Sequence, residues 1–518
     1  MIRRFRVLFA TSNGTGLGHL NRAMAIARRL PDEAESSFFT LSQAAPVVAR
    51  RGNRVDYLAS YRRPGSGTDR AWNLRMRAFL ELLLDENRPD VVVFDGVHPY
   101  RALTHVLSAR GAPRSIWCRR PMWRAGSATA PLRRAGAFDA VLEPGELAAR
   151  ADQGPTVPLR GSAVGVDPIV LLDRSELLDR EVAAAELGLD PDRRTALVAL
   201  GQGGGVERAS ARALRTLDSV PGLQVAVLQS SIAGGLEVPE GVVRLEATFP
   251  MSRYFRAFDL AVAAAGYNAF HELIAFAVPT LFVPMSRNTD DQLARARWAA
   301  ENGVALAVAE AADPQLDQRL SELVAPGTAE RLREGCEAAF PGNGAGAAAR
   351  LVARMAAGGE GDAPAVRDRG RLRRWLRLSS HPIGPTLPLV AALGSRDLLR
   401  HPERRRPLLA ILALGVPDGE LLSRIEGART DRPVRAERIL VLTDSLDFPG
   451  LRGLGVAFER LPDLDSAAPS PQLGLERLRE RVRVLLRGRA PREAISIGRL
   501  GPELLGVPQP SERPPDPT

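Results

Sequence analysis

The sequence predicts an α/β protein: two doubly wound parallel-sheet domains followed by a small C-terminal α/β unit. Three observations carry this prediction. Short apolar runs of strand length alternate with amphipathic helical stretches along residues 1–358, the order that builds parallel sheets. Glycine turns stand between a strand and a helix at 13–18, 201–205 and 266, where such folds place their sites. The alternation breaks at GSAVGVDP (161–168) and again at GGEGDAP (358–364). The expected units are therefore 1–160, a connection 161–194, 195–358, a basic linker 359–404, a small unit 405–505, and a Pro-rich, disordered tail 506–518.

In chain order, residues 6–12 form a first strand, NGTGLG (13–18) a turn, and 19–30 a helix with Leu20, Ala23, Ala27 and Leu30 on one face. Strands recur at 37–41, 55–59, 91–95, 115–118 and 140–142. The turn is not a dinucleotide fingerprint, because Ser42 and Gln43 stand where its acidic partner is required. The second half opens with a strand at 195–200 and GQGGG (201–205), where the N–H groups of Gly203 and Gly204 offer either an anion-binding nest or a flexible turn. Strands at 224–229 and 242–245 follow, then Thr248-Phe249-Pro250-Met251.

The stretch 259–292 is the most informative. It contains a strand (260–265), Gly266, a helix (267–277), a second strand (279–284) and a polar return loop. A helix start after a glycine presents free N–H groups and the positive dipole end to an anion, and glycine permits its close approach. Asn268 is expected to cap this helix, and Asn268 and Glu272 share one face. A carboxylate one turn behind a phosphate site can accept hydrogen bonds from ribose hydroxyls, so the pattern points to a nucleotide. After a strand at 304–309 the pattern is helical to about 358. The last unit shows helices at 419–428 and 473–486 and strands at 438–443, 456–461 and 494–497. Its Asp444, Ser445 and Asp447 either cap the next helix or form a site.

The formal charge is +10, and all 70 basic residues are arginine. Absence of lysine excludes lysine nucleophiles and a Walker-type phosphate lysine. A bias this general does not mark a nucleic-acid face. Residues 361–410 hold eleven arginines against four acids; the cluster within 367–377 is either a contact for anionic lipid or a solvated hinge. Cys118 and Cys336 lie far apart without metal spacing, so neither a disulfide nor a metal is expected. No apolar run reaches ~18 residues, and the N-terminal run is too short for a signal peptide. A cytoplasmic protein, peripheral to the membrane's inner face at most, is expected.

Gly266-Tyr267-Asn268 with Glu272, then Val-Pro, then a Pro and the pair Asp291-Gln292, resembles the donor signature of UDP-sugar-dependent glycosyltransferases of the GT-B fold. The resemblance covers about residues 1–358 and is nearest to the muropeptide N-acetylglucosaminyltransferase branch, with features of the UDP-glycosyltransferases. It implies two Rossmann-like domains. Gly266 and Asn268 would hold the diphosphate, Glu272 the ribose, and Asp291 and Gln292 the sugar hydroxyls. Gly203 and Gly204 would lie on the phosphate side, and Phe249 and Met251 against the base or in the core. Ala265 departs from the family, which often carries His, Arg or Ser there as a phosphate ligand.

The run N-G-x-G-x-G-H-x-x-R (13–22) resembles the family's first loop. It implies His19 as general base oriented by Asp95, with Gly16 and Gly18 beside the acceptor. Arg119, Arg120 and Trp123 either hold an anionic or sugar-bearing acceptor or form a solvated loop around one packed Trp. The implied activity is inverting, metal-independent transfer of a hexose or N-acetylhexosamine from a UDP-sugar to a hydroxyl of an acceptor, either lipid-linked or a polysaccharide, with no cofactor. Two other readings stay open: a UDP-sugar 2-epimerase, and a non-catalytic nucleotide-sugar-binding partner.

Overall fold

The computed structural model of the 518-residue chain describes residues 4–12, 17–61, 63, 66–109, 111–201, 206–228, 238–246, 248–358, 409–430, 432, 434–462, 471–487, 489, 491–501 and 504. Gly16, Gly203, Gly204, the basic linker and the tail lie outside these residues.

The first half is built on seven parallel strands: β1 (Phe5–Thr11), β2 (Ala34–Thr40), β3 (Arg54–Tyr57), β4 (Val91–Asp95), β5 (Arg114–Cys118), β6 (Ala140–Pro144) and β7 (Val164–Val166). Their order is β3-β2-β1-β4-β5-β6-β7. Helices cover both faces, which is why residues 91–94 of β4 are all apolar and buried instead of alternating, before the strand ends in the buried Asp95. One face packs on α1 (Gly18–Ala27), the other on α3 (Asp69–Asn87) and α4 (Arg101–Leu107). Of the two further first-half features, α2 (Ala45–Ala49) is short, and β7 corrects the expected boundary. Residues 164–166 pair with β6 and complete the first sheet; three residues with a central Gly165 are too few to register as a strand in sequence.

The second half carries α5 (Arg180–Leu187), β8 (Arg194–Ala199), α6 (Val206–Asp218), β9 (Leu223–Leu228), β10 (Val243–Leu245), β11 (Leu260–Ala263), α7 (Tyr267–Ala275), β12 (Thr280–Phe282), α8 (Gln292–Glu301) and β13 (Leu306–Ala307). Helices α9 (Leu316–Val324) and α10 (Thr328–Ala339) close it, and α11 (Ala345–Ala356) packs back into the first half's core. The sheet order is β10-β9-β8-β11-β12-β13, all parallel. Strand order reverses between β1 and β4 in the first sheet and between β8 and β11 in the second. Ligands bind at the carboxyl ends of strands at such switch points.

The third unit is a four-stranded parallel sheet, β16-β15-β14-β17, from β14 (Leu409–Ala413), β15 (Ile439–Thr443), β16 (Ala457–Arg460) and β17 (Glu493–Ser496). Its helices are α12 (Asp418–Thr430), α13 (Phe448–Gly453) and α14 (Pro471–Leu486). Strand β14, absent from the sequence expectation, is one of its two inner strands. Asp447 caps α13 by accepting from Gly450 N at 3.0 Å, while Ser445 donates to Asp418 and Asp444 accepts from Gly415 N.

The third unit covers the β3 edge of the first sheet. Arg460 Nη1 donates to Val55 O at 3.1 Å, Glu459 Oε2 accepts from Ala59 N at 2.7 Å, and Arg481 bridges Asp56 and Glu86. Tyr57 packs against Phe448 and Phe458 with ring centroids 4.9 and 5.9 Å apart. An edge strand that would otherwise offer unpaired backbone groups is thereby closed.

Candidate active site

Parallel pairing sets Thr11 of β1 level with Asp95 of β4, so the first turn of α1 overhangs the Asp95 carboxylate. His19 Nδ1 lies 2.6 Å from Asp95 Oδ1. Arg22, one turn along α1, clamps the same carboxylate, Nε to Oδ2 at 2.9 Å and Nη2 to Oδ1 at 2.6 Å. Burial pushes the Asp95 carboxyl up, but Arg22 beside it and the His19 hydrogen bond hold it down at about 2. Burial pushes His19 below its ordinary value; Asp95 pulls the other way, and Arg22 and Arg120 add to the lowering. The imidazole is therefore neutral near pH 7. Assigning its Nδ1–H to Asp95 leaves Nε2 as a proton acceptor. Sequence reasoning gave Arg22 no role; its signal was the three-residue spacing from His19, which puts both on one helical face.

Gly266 is the N-cap of α7, with φ −70° and no side-chain cap. A Cβ there would meet only Gln292 Nε2 at 3.6 Å, so no left-handed backbone requires this glycine. Asn268 does not cap α7 as expected: its Nδ2 donates to Gly18 O at 3.2 Å, and its Oδ1 accepts from Arg22 Nη1 at 3.4 Å. Glu272 accepts from Asn21 Nδ2 at 2.8 Å, and burial pushes its carboxyl up to about 7. Thus α1 and α7 lie side by side, start to start, across the seam between the halves. Tyr267 fixes this junction: its hydroxyl donates to Gly145 O at 2.9 Å and accepts from Ile169 N at 3.1 Å, while Arg22 lies 4.9 Å over its ring.

Below α7 lies a buried ionic group that the sequence did not announce. Arg295 donates to Glu146 Oε2 at 2.9 Å and to Ala265 O at 2.9 Å, and lies 3.0 Å from Asp290. Burial opposes ionisation of Glu146, but Arg295 and His271 hold its carboxyl at about 2. Gln292 donates to Asp290 Oδ2 and accepts from Met285 N, which places its amide beside Gly266. Asp291 turns away to cap α8, accepting from Ala294 N at 3.1 Å; Asp290 is the acid that faces the group.

The proposed acceptor residues separate. Arg119 is 1 % exposed and tied to Glu143 and Leu159 O, and Trp123 is 1 % exposed within the core against His98. Neither forms an acceptor surface: these side chains turn inward and leave Arg120 at the site. Arg120 Nη1 lies 3.3 Å from Asp290 Oδ1. Gly18 begins α1 with nothing within 4 Å of an added Cβ. Phe249 lines a cavity of about 540 Å³ between the halves, beneath Arg51 at 4.9 Å, with Met24, Arg28, Arg253 and Tyr254 on its walls. Met251 instead packs against the second half's core. Among the described residues no group of three His, Cys, Asp or Glu could hold a metal ion, and no helix is long and apolar enough to cross a membrane.

The profile of the glycosyltransferase family 28 C-terminal domain matches residues 241–341, which include α7 and α8. The chain is similar to a UDP-N-acetylglucosamine--N-acetylmuramyl-(pentapeptide) pyrophosphoryl-undecaprenol N-acetylglucosamine transferase of Clavibacter sepedonicus, 27% identical over 379 residues, covering 70% of this chain and 99% of the relative. The protein of the same name from Mycobacterium tuberculosis is 30% identical over 337 residues, covering 60% of this chain and 78% of the relative. Among solved structures, Acinetobacter baumannii MurG superposes with a TM-score of 0.46 at 16% identity, over 68% of this chain and 100% of that one.

Proposed function

The chain belongs to the UDP-sugar-dependent GT-B glycosyltransferases that carry the family 28 domain, and on that premise we propose that it transfers a hexose or N-acetylhexosamine to a hydroxyl with inversion and without a metal. The observation that carries the reading is the convergence of two helix starts: His19, paired with Asp95, on α1 beside the start of α7. Nε2 of His19 takes the acceptor's hydroxyl proton as its oxygen attacks the anomeric carbon. The bond from that carbon to the diphosphate breaks, and the diphosphate leaves onto the free N–H groups of α7, where the dipole offsets its charge. Asp95 stabilises the imidazolium that forms. An α-linked donor would then give a β-glycoside.

The relatives' names specify N-acetylglucosamine and a pyrophosphoryl-undecaprenol acceptor; we extend both to this chain as a proposed donor and acceptor class, a lipid-linked acceptor reached from the membrane's inner face. Thermal stabilisation by a panel of nucleotide sugars tests the donor, because a ligand that binds the folded state raises its apparent stability. UDP-sugars should stabilise and other nucleotides should not. Glu272→Ala should weaken UDP about 10- to 100-fold with the fold intact, since it removes a charged acceptor for the ribose. A panel without any stabilising nucleotide, or release of 2-epimerised sugar without an acceptor, would overturn the reading.

Glu272 also sets a pH dependence. In the closed seam its carboxyl is held at about 7, whereas in water it titrates at about 4.3. Opening the seam to admit a ribose therefore releases a proton between those two values, and rising pH favours opening there. UDP affinity should climb by up to about tenfold per pH unit towards pH 7 and then level off. Calorimetry from pH 5.5 to 8 checks this; Glu272→Gln should flatten the profile, and an affinity independent of pH would contradict it.

A further inference from the structure

We infer that Arg120, from the first half, is the cation that receives the leaving diphosphate at the start of α7. This deepens the donor reading and rests on it. Helix α7 brings no cation of its own: Ala265, Gly266, Tyr267, Asn268 and Ala269 are all uncharged. Three guanidiniums approach from elsewhere. Arg22 has a side chain 2 % exposed and is clamped by both oxygens of Asp95. Arg295 is completely buried and held by Glu146, Asp290 and Ala265 O. Arg120 differs from both. Its side chain is 14 % exposed, it reaches one carboxylate, Asp290, at 3.3 Å, and it shares that carboxylate with Arg295. Its buried Nε has no partner among the described residues.

Position agrees with this assignment. Asp290 Oδ2 accepts from Gln292 Nε2 at 3.2 Å, and that amide stands beside Gly266, so the path from Arg120 to the start of α7 is two side chains long. On its other side the Arg120 charge helps hold His19 below its ordinary value, and Asp95 favours the charge on Arg120. It therefore sits between the base and the helix start, where negative charge grows as the sugar bond breaks. Arg22 and Arg295 nearby weigh against the Arg120 charge, which has only a share of Asp290 to offset them, and a dianionic phosphate group relieves that repulsion. Guanidinium N–H groups suit such an oxygen pair. Because Arg120 enters from the half opposite α7, its hold on the diphosphate would span the seam between the halves.

The test compares UDP with uridine by calorimetry on the full chain. Arg120→Gln should weaken UDP about 10- to 100-fold and leave uridine unchanged, because only the phosphates lose a charged donor. Arg120→Lys should lose less, since it keeps the charge without the fork, and it gives the same comparison if the glutamine variant does not fold. Unchanged UDP affinity in both variants, with Glu272→Ala still weakening UDP, overturns this inference and leaves the donor reading standing. Loss of UDP and uridine together would make Arg120 structural and overturn it as well. Absence of UDP binding by the unaltered protein sinks both.

Discussion

Replacing His19 by alanine is expected to lower turnover about 10²- to 10⁴-fold, the usual contribution of a positioned general base, while UDP affinity stays within about twofold. In the proposed mechanism the two effects separate, because the imidazole acts on the acceptor hydroxyl and the nucleotide rests on α7. His19 also carries little of the fold: its ring has one close carboxylate, Asp95, which Arg22 continues to hold after the ring is removed. Asp95→Asn is a different case. It strips the buried Arg22 of its charge partner and should cost about 3–5 kcal/mol of stability besides activity. In the unaltered protein, activity should fall with the protonation of His19 on the acid side of pH 6.5, because burial holds that ring below its ordinary value. Initial rates of UDP release with and without acceptor, repeated in the presence of a chelator, provide the measurement. A His19→Ala enzyme with unaltered turnover would remove the imidazole from the mechanism, and a rate abolished by the chelator would remove the metal-free route.

Parallel architecture explains why so much of the site could be anticipated from residue order. Once 6–12 and 91–95 are strands of one sheet, their carboxyl ends lie together, and His19 and Asp95 fall within reach by topology alone. Asn268 and Glu272 stand four apart on α7, a spacing that any α-helix turns onto one face. What order does not encode is pairing between polar and charged side chains distant in the chain. Glu146 meets Arg295, Asp95 meets Arg22, and Asn21 meets Glu272 across 149, 73 and 251 positions. In a chain whose cations are all arginine, composition cannot separate Arg119, turned into the core, from its neighbour Arg120 at the site. Asn268 shows a second limit. It has the chemistry of a cap, but the opposing half lies close enough to take its side chain instead. Strand β14 was hidden because LLAILAL is a continuous apolar run, a pattern shared by buried strands and buried helices.

The third unit supplies the second large effect. Glu459 is completely buried and accepts from two sources, the guanidinium of Arg489 within its own unit and Ala59 N of the first half at 2.7 Å. Glu459→Ala takes the carboxylate from a buried guanidinium, a loss of about 3–5 kcal/mol, and leaves the Ala59 N–H without its acceptor, a further cost of about 1–3 kcal/mol. Arg75 adds to the strain, since burial and the nearby Arg489 already push it well below its ordinary value and Glu459 counters them. The loss should appear as separation of the third unit from the β3 edge. Proteolysis should then release a fragment cut between 358 and 409 before the two larger domains melt. Glu480→Ala is the matched control: its pair with Arg483 is exposed on both sides, so stability should move by less than about 1 kcal/mol. Urea titration and limited proteolysis of both variants decide the matter. If Glu459→Ala unfolds at the same urea concentration as Glu480→Ala, the buried carboxylate is not what fastens the third unit to the glycosyltransferase halves.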